Sequence, residues 1–150
     1  MSDPLTGYVR VKAVCLFINA GRVLAIDGFD PAKPHRQHRF WVPIGGRVEM
    51  GETSSEAIVR EVREELSTGI SDLELLGVLE NLFTFDGGEG HEIVFVYDAR
   101  FVDASIYDND EVPGVEEGRP FTASWIDPSA PSNDWPLYPE GLLGLIENQP

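Results

Sequence analysis

Cysteine is nearly missing from this chain: Cys15 is the only one in 150 residues. A single thiol forms no internal disulfide, so the expected setting is reducing and cytoplasmic. It lies in the apolar run AVCLFI, where a buried small hydrophobe is expected rather than a reactive thiol. Basic residues are scarce too, with 11 Lys and Arg against 26 Asp and Glu and a formal charge of −15. Such a surface argues against generic binding to DNA, RNA or an anionic membrane, which all need a basic patch. No apolar run approaches the roughly 20 residues of a membrane-spanning helix. The opening MSDPLTGYVR lacks a basic patch followed by an apolar stretch, so no secretory signal is expected. Repeats and long low-complexity linkers are also missing. The length suits one domain spanning residues 1–150, large enough to bury a core without staples.

What is present is rich in strand signals. YVRVKAVCLFINAGRVLAI reads as two strands joined at NAGR, with Asn19 and Gly21 supplying the turn. DGFDPAKPHRQHRF reads as a loop, and FWVPIGGRVE as a short extended piece broken by Gly45 and Gly46. TSSEAIVREVREEL reads as a helix. Thr53 and Glu56 form a capping-box pair, and Ala57, Ile58, Val62 and Leu66 recur at helical spacing. LELLGVLENLFTF and HEIVFVYDARFV read as strands, DASIYDNDEVPGVEEGRP as an acidic loop, FTASWID as a strand and YPEGLLGLIEN as a closing helix. This order predicts an α+β fold, a mixed β-sheet sandwiched between helices.

The central helix crowds negative charge. Residues three or four apart on a helix are neighbours, so Glu61 sits beside both Glu64 and Glu65, at a cost of a few tenths of a kcal/mol. Arg60 reaches Glu56 and Glu64, each four positions away. One reading is a solvated face laced with salt bridges. The other is a cage of hard oxygens for a cation such as Mg²⁺, which takes carboxylates plus substrate phosphates. The glycines just upstream permit close backbone approach, and a glycine carbonyl can add a ligand.

The stretch from Gly46 to Glu65 resembles the signature of the Nudix hydrolases. Gly46 is followed by five residues and Glu52, then by seven residues and the run REVREE at 60–65. Gly46, Glu52, Arg60, Glu61, Val62, Glu64 and Glu65 occupy specified positions of that pattern. Its final Gly-aliphatic pair falls instead on Ser67 and Thr68, while Gly69 and Ile70 follow. A helix C-cap displaced by two residues is therefore expected. The proline of the usual Pro-Gly-Gly also stands one place early, at Pro43.

The resemblance implies a Nudix-like α/β/α sandwich and a Mg²⁺- or Mn²⁺-dependent hydrolase of a nucleoside diphosphate linked to another moiety. It implies metal ligation by Glu61, Glu64, Glu65 and the Gly46 carbonyl. It assigns Glu52 to orienting Arg60 or touching a metal through water, and Arg60 to holding the carboxylates. Glu61 or Glu65 would also help deprotonate the water. Some family members add an acid from outside the signature; Glu117 is the candidate here, with Glu116 close behind and Glu92 weaker. In HRQHR, residues 35–39, Arg36 and Arg39 are candidates for distal phosphates. Among the aromatics, Trp41 and Phe83 are candidates to stack on a base, with core packing the alternative for each.

Competing readings are a non-catalytic, regulatory nucleotide-binding Nudix domain and an acidic interaction module. A prenyl-diphosphate isomerase on the same fold needs a catalytic cysteine, for which Cys15 is ill placed. The expected partner is a small nucleotide-type diphosphate rather than a nucleic-acid polymer or a membrane. A homodimer is the default should the chain assemble.

Overall fold

The first strand builds two layers by alternation. In β1 (Arg10–Cys15), Ala13 and Cys15 join one buried cluster while Val14 joins the other. Phe17 and Leu16 continue the two sides. Successive side chains of a strand point to opposite faces, so a segment this apolar must be covered on both. One cover is α1 (Ser54–Leu66), which contributes Ala57, Ile58 and Val62 to the first cluster. The other is the short α2 (Leu142–Glu147), whose Leu142 is fully buried in the second. These contacts come from a computed structural model that describes residues 7–34, 38–129 and 135–147.

The remaining elements are β2 (Ile18–Asn19), β3 (Arg22–Phe29), β4 (Arg39–Arg47), β5 (Ile70–Phe85), β6 (Gly88–Phe101), a 3-10 turn at Ala104–Asp108, β7 (Glu111–Glu116) and β8 (Arg119–Ile126). The sheet runs β5-β6-β1-β4-β3-β8-β7, with β2 pairing β3. The β1–β6 pair is parallel and every other pair is antiparallel. The fold is thus the expected mixed sheet between helices. β4 pairs with β3 through its first half and with β1 through its second. The glycine pair at its end therefore lies in mid-sheet, beside β1.

Three expectations need correction. Two strands do meet at NAGR, but the long first one is split: β1 ends at Cys15, β4 lies between β1 and β3, and only the short β2 pairs with β3 across Ala20 and Gly21. Both turn residues have positive φ, 53° and 78°, as a two-residue hairpin turn requires. The segment read as an acidic loop contains β7. Pro113 is tolerated there because β7 is an edge strand and needs no outward N–H. The helix C-cap is not displaced, since α1 ends at Leu66 and Ser67 itself turns left-handed at φ 56°, its N–H donating to the Arg63 carbonyl at 3.0 Å. Among the described residues no helix is long and apolar enough to cross a membrane.

Candidate active site

The turn between β4 and α1 is locked before the helix begins. The Glu52 N–H donates to the Glu49 carbonyl at 3.0 Å, and the Glu49 N–H donates back to Glu52 Oε1 at 3.0 Å. Thr53 caps the helix, accepting from the Glu56 N–H at 3.2 Å while its own N–H donates to Glu56 Oε1 at 3.0 Å. This reciprocal pair satisfies two otherwise orphaned donors and fixes the helix against the glycine strand.

Arg60 is the hub. Its Nε and Nη2 grip both oxygens of Glu52, at 2.7 and 3.0 Å. Nη1 donates to Glu61 Oε1 at 2.9 Å and to Glu64 Oε2 at 3.2 Å. Nη2 also reaches the Arg47 carbonyl at 2.9 Å. One guanidinium thus ties the turn, the helix and the end of β4 together, using the planar fork that lysine lacks. The Arg60 hydrogen bonds, aided by the Glu49 N–H, hold the Glu52 carboxyl down at about 2. Its bonds to Glu52 push the Arg60 pKa up in turn.

Glu61 lies on the backbone of Gly46. A Cβ placed there would sit 2.5 Å from the Glu61 carboxyl carbon; no side chain fits that spot. Glu65, one helical turn on, is 4% exposed. Its carboxyl is pushed up to about 9, first by burial, then by the neighbouring Glu61 carboxylate, with Glu116 adding to it and Lys12 opposing. Glu65 Oε1 is buried and has no hydrogen-bond partner among the described residues. Glu64 points outward, with its side chain 61% exposed.

These placements separate the candidates. Gly46, Glu52, Arg60, Glu61 and Glu65 form one connected cluster, and Glu64 joins it through Arg60. Glu117 is exposed at the β7–β8 turn, with φ 47°, whereas the charge of Glu116 reaches Glu65. Arg36, with His35, lies outside the described residues. Arg39 opens β4, seven residues and roughly 23 Å of strand from Gly46. It pairs with Asp27 at 3.1 Å and lies over the Phe29 ring at 5.1 Å and the Trp135 ring at 5.5 Å. Trp41 packs on Trp135 with ring centroids 5.0 Å apart, its N–H donating to the Pro136 carbonyl. Phe83 covers the backbone of Gly90 in the β5–β6 pair. Arg39, Trp41 and Phe83 therefore stand apart from the carboxylates. Not foreseen in the sequence were the Arg47 carbonyl as an acceptor for Arg60 and the charge of Lys12 reaching Glu65.

The donor set suits a hard divalent cation. A buried carboxylate oxygen with no donor, beside a second carboxylate, is an arrangement that either a shared proton or a cation must relieve. All the donors are oxygens, the set that Mg²⁺ and Mn²⁺ favour over softer ions. Among the described residues no three acidic, His or Cys side chains already converge on one point. A groove of about 600 Å³ between α1 and Leu73 is lined by Val59 and Arg63 and by Arg60 and Glu64 of the cluster.

A mixed sheet between helices, with a capped acidic helix laid on a glycine-bearing strand, defines the Nudix class of fold. The chain belongs to the Nudix family, whose NUDIX domain model matches residues 8–141. It is 33% identical over 147 residues to an uncharacterised Nudix hydrolase, YvcI, of Bacillus subtilis, covering 91% of this chain and 84% of that one. It is 30% identical over 119 residues to the protein MutT4 of Mycobacterium tuberculosis, covering 72% of this chain but only 47% of that one. Among solved structures, a MutT NUDIX hydrolase from Burkholderia pseudomallei matches at a TM-score of 0.65 and 25% identity, covering 95% of this chain and all of that one. The family's hydrolases act on acid anhydrides in phosphorus-containing substrates and generally use divalent metal ions.

Proposed function

We propose that the chain, as a single Nudix domain, hydrolyses the diphosphate bond of a small nucleoside diphosphate linked to another group, with Mg²⁺ or Mn²⁺ as cofactor. The observation that carries this reading is the pairing of Glu61, pressed on Gly46, with Glu65, whose buried Oε1 has no hydrogen-bond partner among the described residues. A diphosphate repels an attacking hydroxide, and a bound divalent ion neutralises that charge and acidifies water. Glu61, Glu65 and the Gly46 carbonyl would hold the ion, and Glu64 would join them by leaving Arg60. Arg60 keeps Glu61 at the glycine strand, and Glu52 fixes Arg60. An acid from the β7–β8 hairpin would take the water's proton. Glu117 is the candidate named from the sequence, and the reach of Glu116 to Glu65 favours testing both.

The test is a panel of nucleoside diphosphates carrying sugars, ribose, a second nucleoside or further phosphate, assayed with Mg²⁺ and with Mn²⁺. Glu64→Gln is expected to lower turnover by at least ~10²-fold, since each tenfold is about 1.4 kcal/mol of barrier. An unchanged rate removes Glu64 from the chemistry. Tight nucleotide binding without turnover would instead support the non-catalytic reading.

A further inference from the structure

We propose that Arg119, on the β7–β8 hairpin, contacts a phosphate of the substrate from the wall of the site that faces α1. The pairing along the hairpin sets its direction. Val112 lies opposite Ala123, Gly114 opposite Phe121 and Glu116 opposite Arg119. Directly opposed residues share a face, and every second residue returns to it. Val112 and Ala123 are buried in the cluster that α1 completes, and Phe121 packs against it. A Cβ on Gly114 would lie 2.8 Å from the Glu65 carbonyl oxygen. Glu116 and Arg119 form the next rung of this α1-facing row, roughly 7 Å nearer the turn. Glu117 and Gly118 close that turn with φ of 47° and 78°, the left-handed pair that a two-residue hairpin connection requires.

The rung lies beside the carboxylates, since the charge of Glu116 reaches Glu65. Arg119 is exposed, and among the described residues its side chain makes no hydrogen bond or ion pair. Arg60 differs: its donors are taken by Glu52, Glu61, Glu64 and the Arg47 carbonyl. Arg119 therefore keeps its donors open within a chain of only 11 basic residues. A diphosphate coming against Glu61, Glu65 and Glu116 meets like charge. A cation held by the carboxylates relieves that repulsion mainly at the oxygens nearest to it, because the attraction falls with distance. A guanidinium from the facing hairpin supplies a second positive charge, with two parallel N–H bonds to one phosphate. Being long and exposed, the Arg119 side chain can close on the ligand after it has entered.

This contact rests on the proposed hydrolase reading for the identity of the anion, and binding tests it apart from turnover. Inorganic pyrophosphate is titrated with Mg²⁺ by calorimetry into wild type, Arg119→Gln, Arg119→Lys and Arg22→Gln. Arg22→Gln removes the same charge from an exposed site on the β2–β3 hairpin, which lies by the opposite end of β8 from Arg119. Arg119→Gln is expected to bind about tenfold more weakly, the scale of one lost charge-assisted contact. Arg119→Lys, which keeps the charge but not the fork, should fall between it and wild type. Arg22→Gln should stay within about twofold of wild type, as a distant, screened charge. Titration of Mg²⁺ alone should be the same in Arg119→Gln as in wild type, which separates a phosphate contact from damage to the carboxylates. Equal pyrophosphate affinity in wild type and Arg119→Gln overturns the proposal. So does a loss of the same size in Arg22→Gln, or a wild type that binds no pyrophosphate. Turnover of a diphosphate alongside unchanged affinity in Arg119→Gln sinks this contact alone and leaves the hydrolase reading standing. A loss confined to the Arg119 variants supports the contact, even if the wild type hydrolyses nothing.

Discussion

Among the residues of the cluster, Glu65 carries the clearest pH signature. Its folded carboxyl keeps a proton up to about 9, against 4.5 for the ordinary group. Between those values the unfolded chain has released a proton that the folded chain still holds. Unfolding therefore releases a proton, and rising pH favours the unfolded state. The penalty begins near the unfolded pKa and is complete above the folded one. In metal-free protein, Glu65→Gln should therefore melt progressively higher than wild type as pH rises through that window. Paired thermal scans in a chelator check this, and a constant gap across the window would refute it. Burial acts in the same direction on Cys15. Burial pushes its thiol pKa up and no opposing need arises, so it stays an inert part of the core.

Among the elements, α1 was largely legible in the sequence and β7 was not. The capping box, the apolar stripe and the acidic spacing are all local signals. Each is set by residues three to four apart, so the helix start and its buried face could be read directly. The C-terminus was misread because the glycine two residues further on looked like the better cap, whereas Ser67 takes the left-handed turn itself. A non-glycine residue pays about 1 kcal/mol for that conformation, so Ser67→Gly should stabilise the fold by roughly that amount. The melting midpoint should rise by about 2–4 °C; a fall would mean that the Ser67 side chain contributes more than its strain. In β7, proline, glycine and acidic residues disguised a strand whose existence depends on pairing with β8. The sheet order was hidden for the same reason, since the β1–β4 and β1–β6 ladders join residues far apart in the chain. Glu92, the weaker candidate for an added acid, is buried, accepting from Asn81 and lying 3.9 Å from Lys12, neighbours that only the sheet brings to it.

For the molecule as a whole, self-repulsion matters. A formal charge of −15 on 150 residues destabilises the compact state at low ionic strength. Raising NaCl from roughly 0.01 to 0.15 M shortens the screening length from about 30 to about 8 Å. The melting midpoint should rise over that range, and Mg²⁺ at equal ionic strength should raise it further in wild type than in Glu61→Gln. Equal effects of Mg²⁺ on both proteins would make the divalent effect pure screening rather than occupancy of the carboxylates.

The two rims of the sheet are unlike. Along β7, Pro113 interrupts the outward row of donors, whereas the sixteen residues of β5 contain neither proline nor lysine and leave Val78 and Leu82 bare. Among the described residues, strand addition is consequently less hindered along β5 than along β7. Pairing of two copies along β5 would join like edges, and such a two-fold arrangement would close after two instead of running on into a fibre.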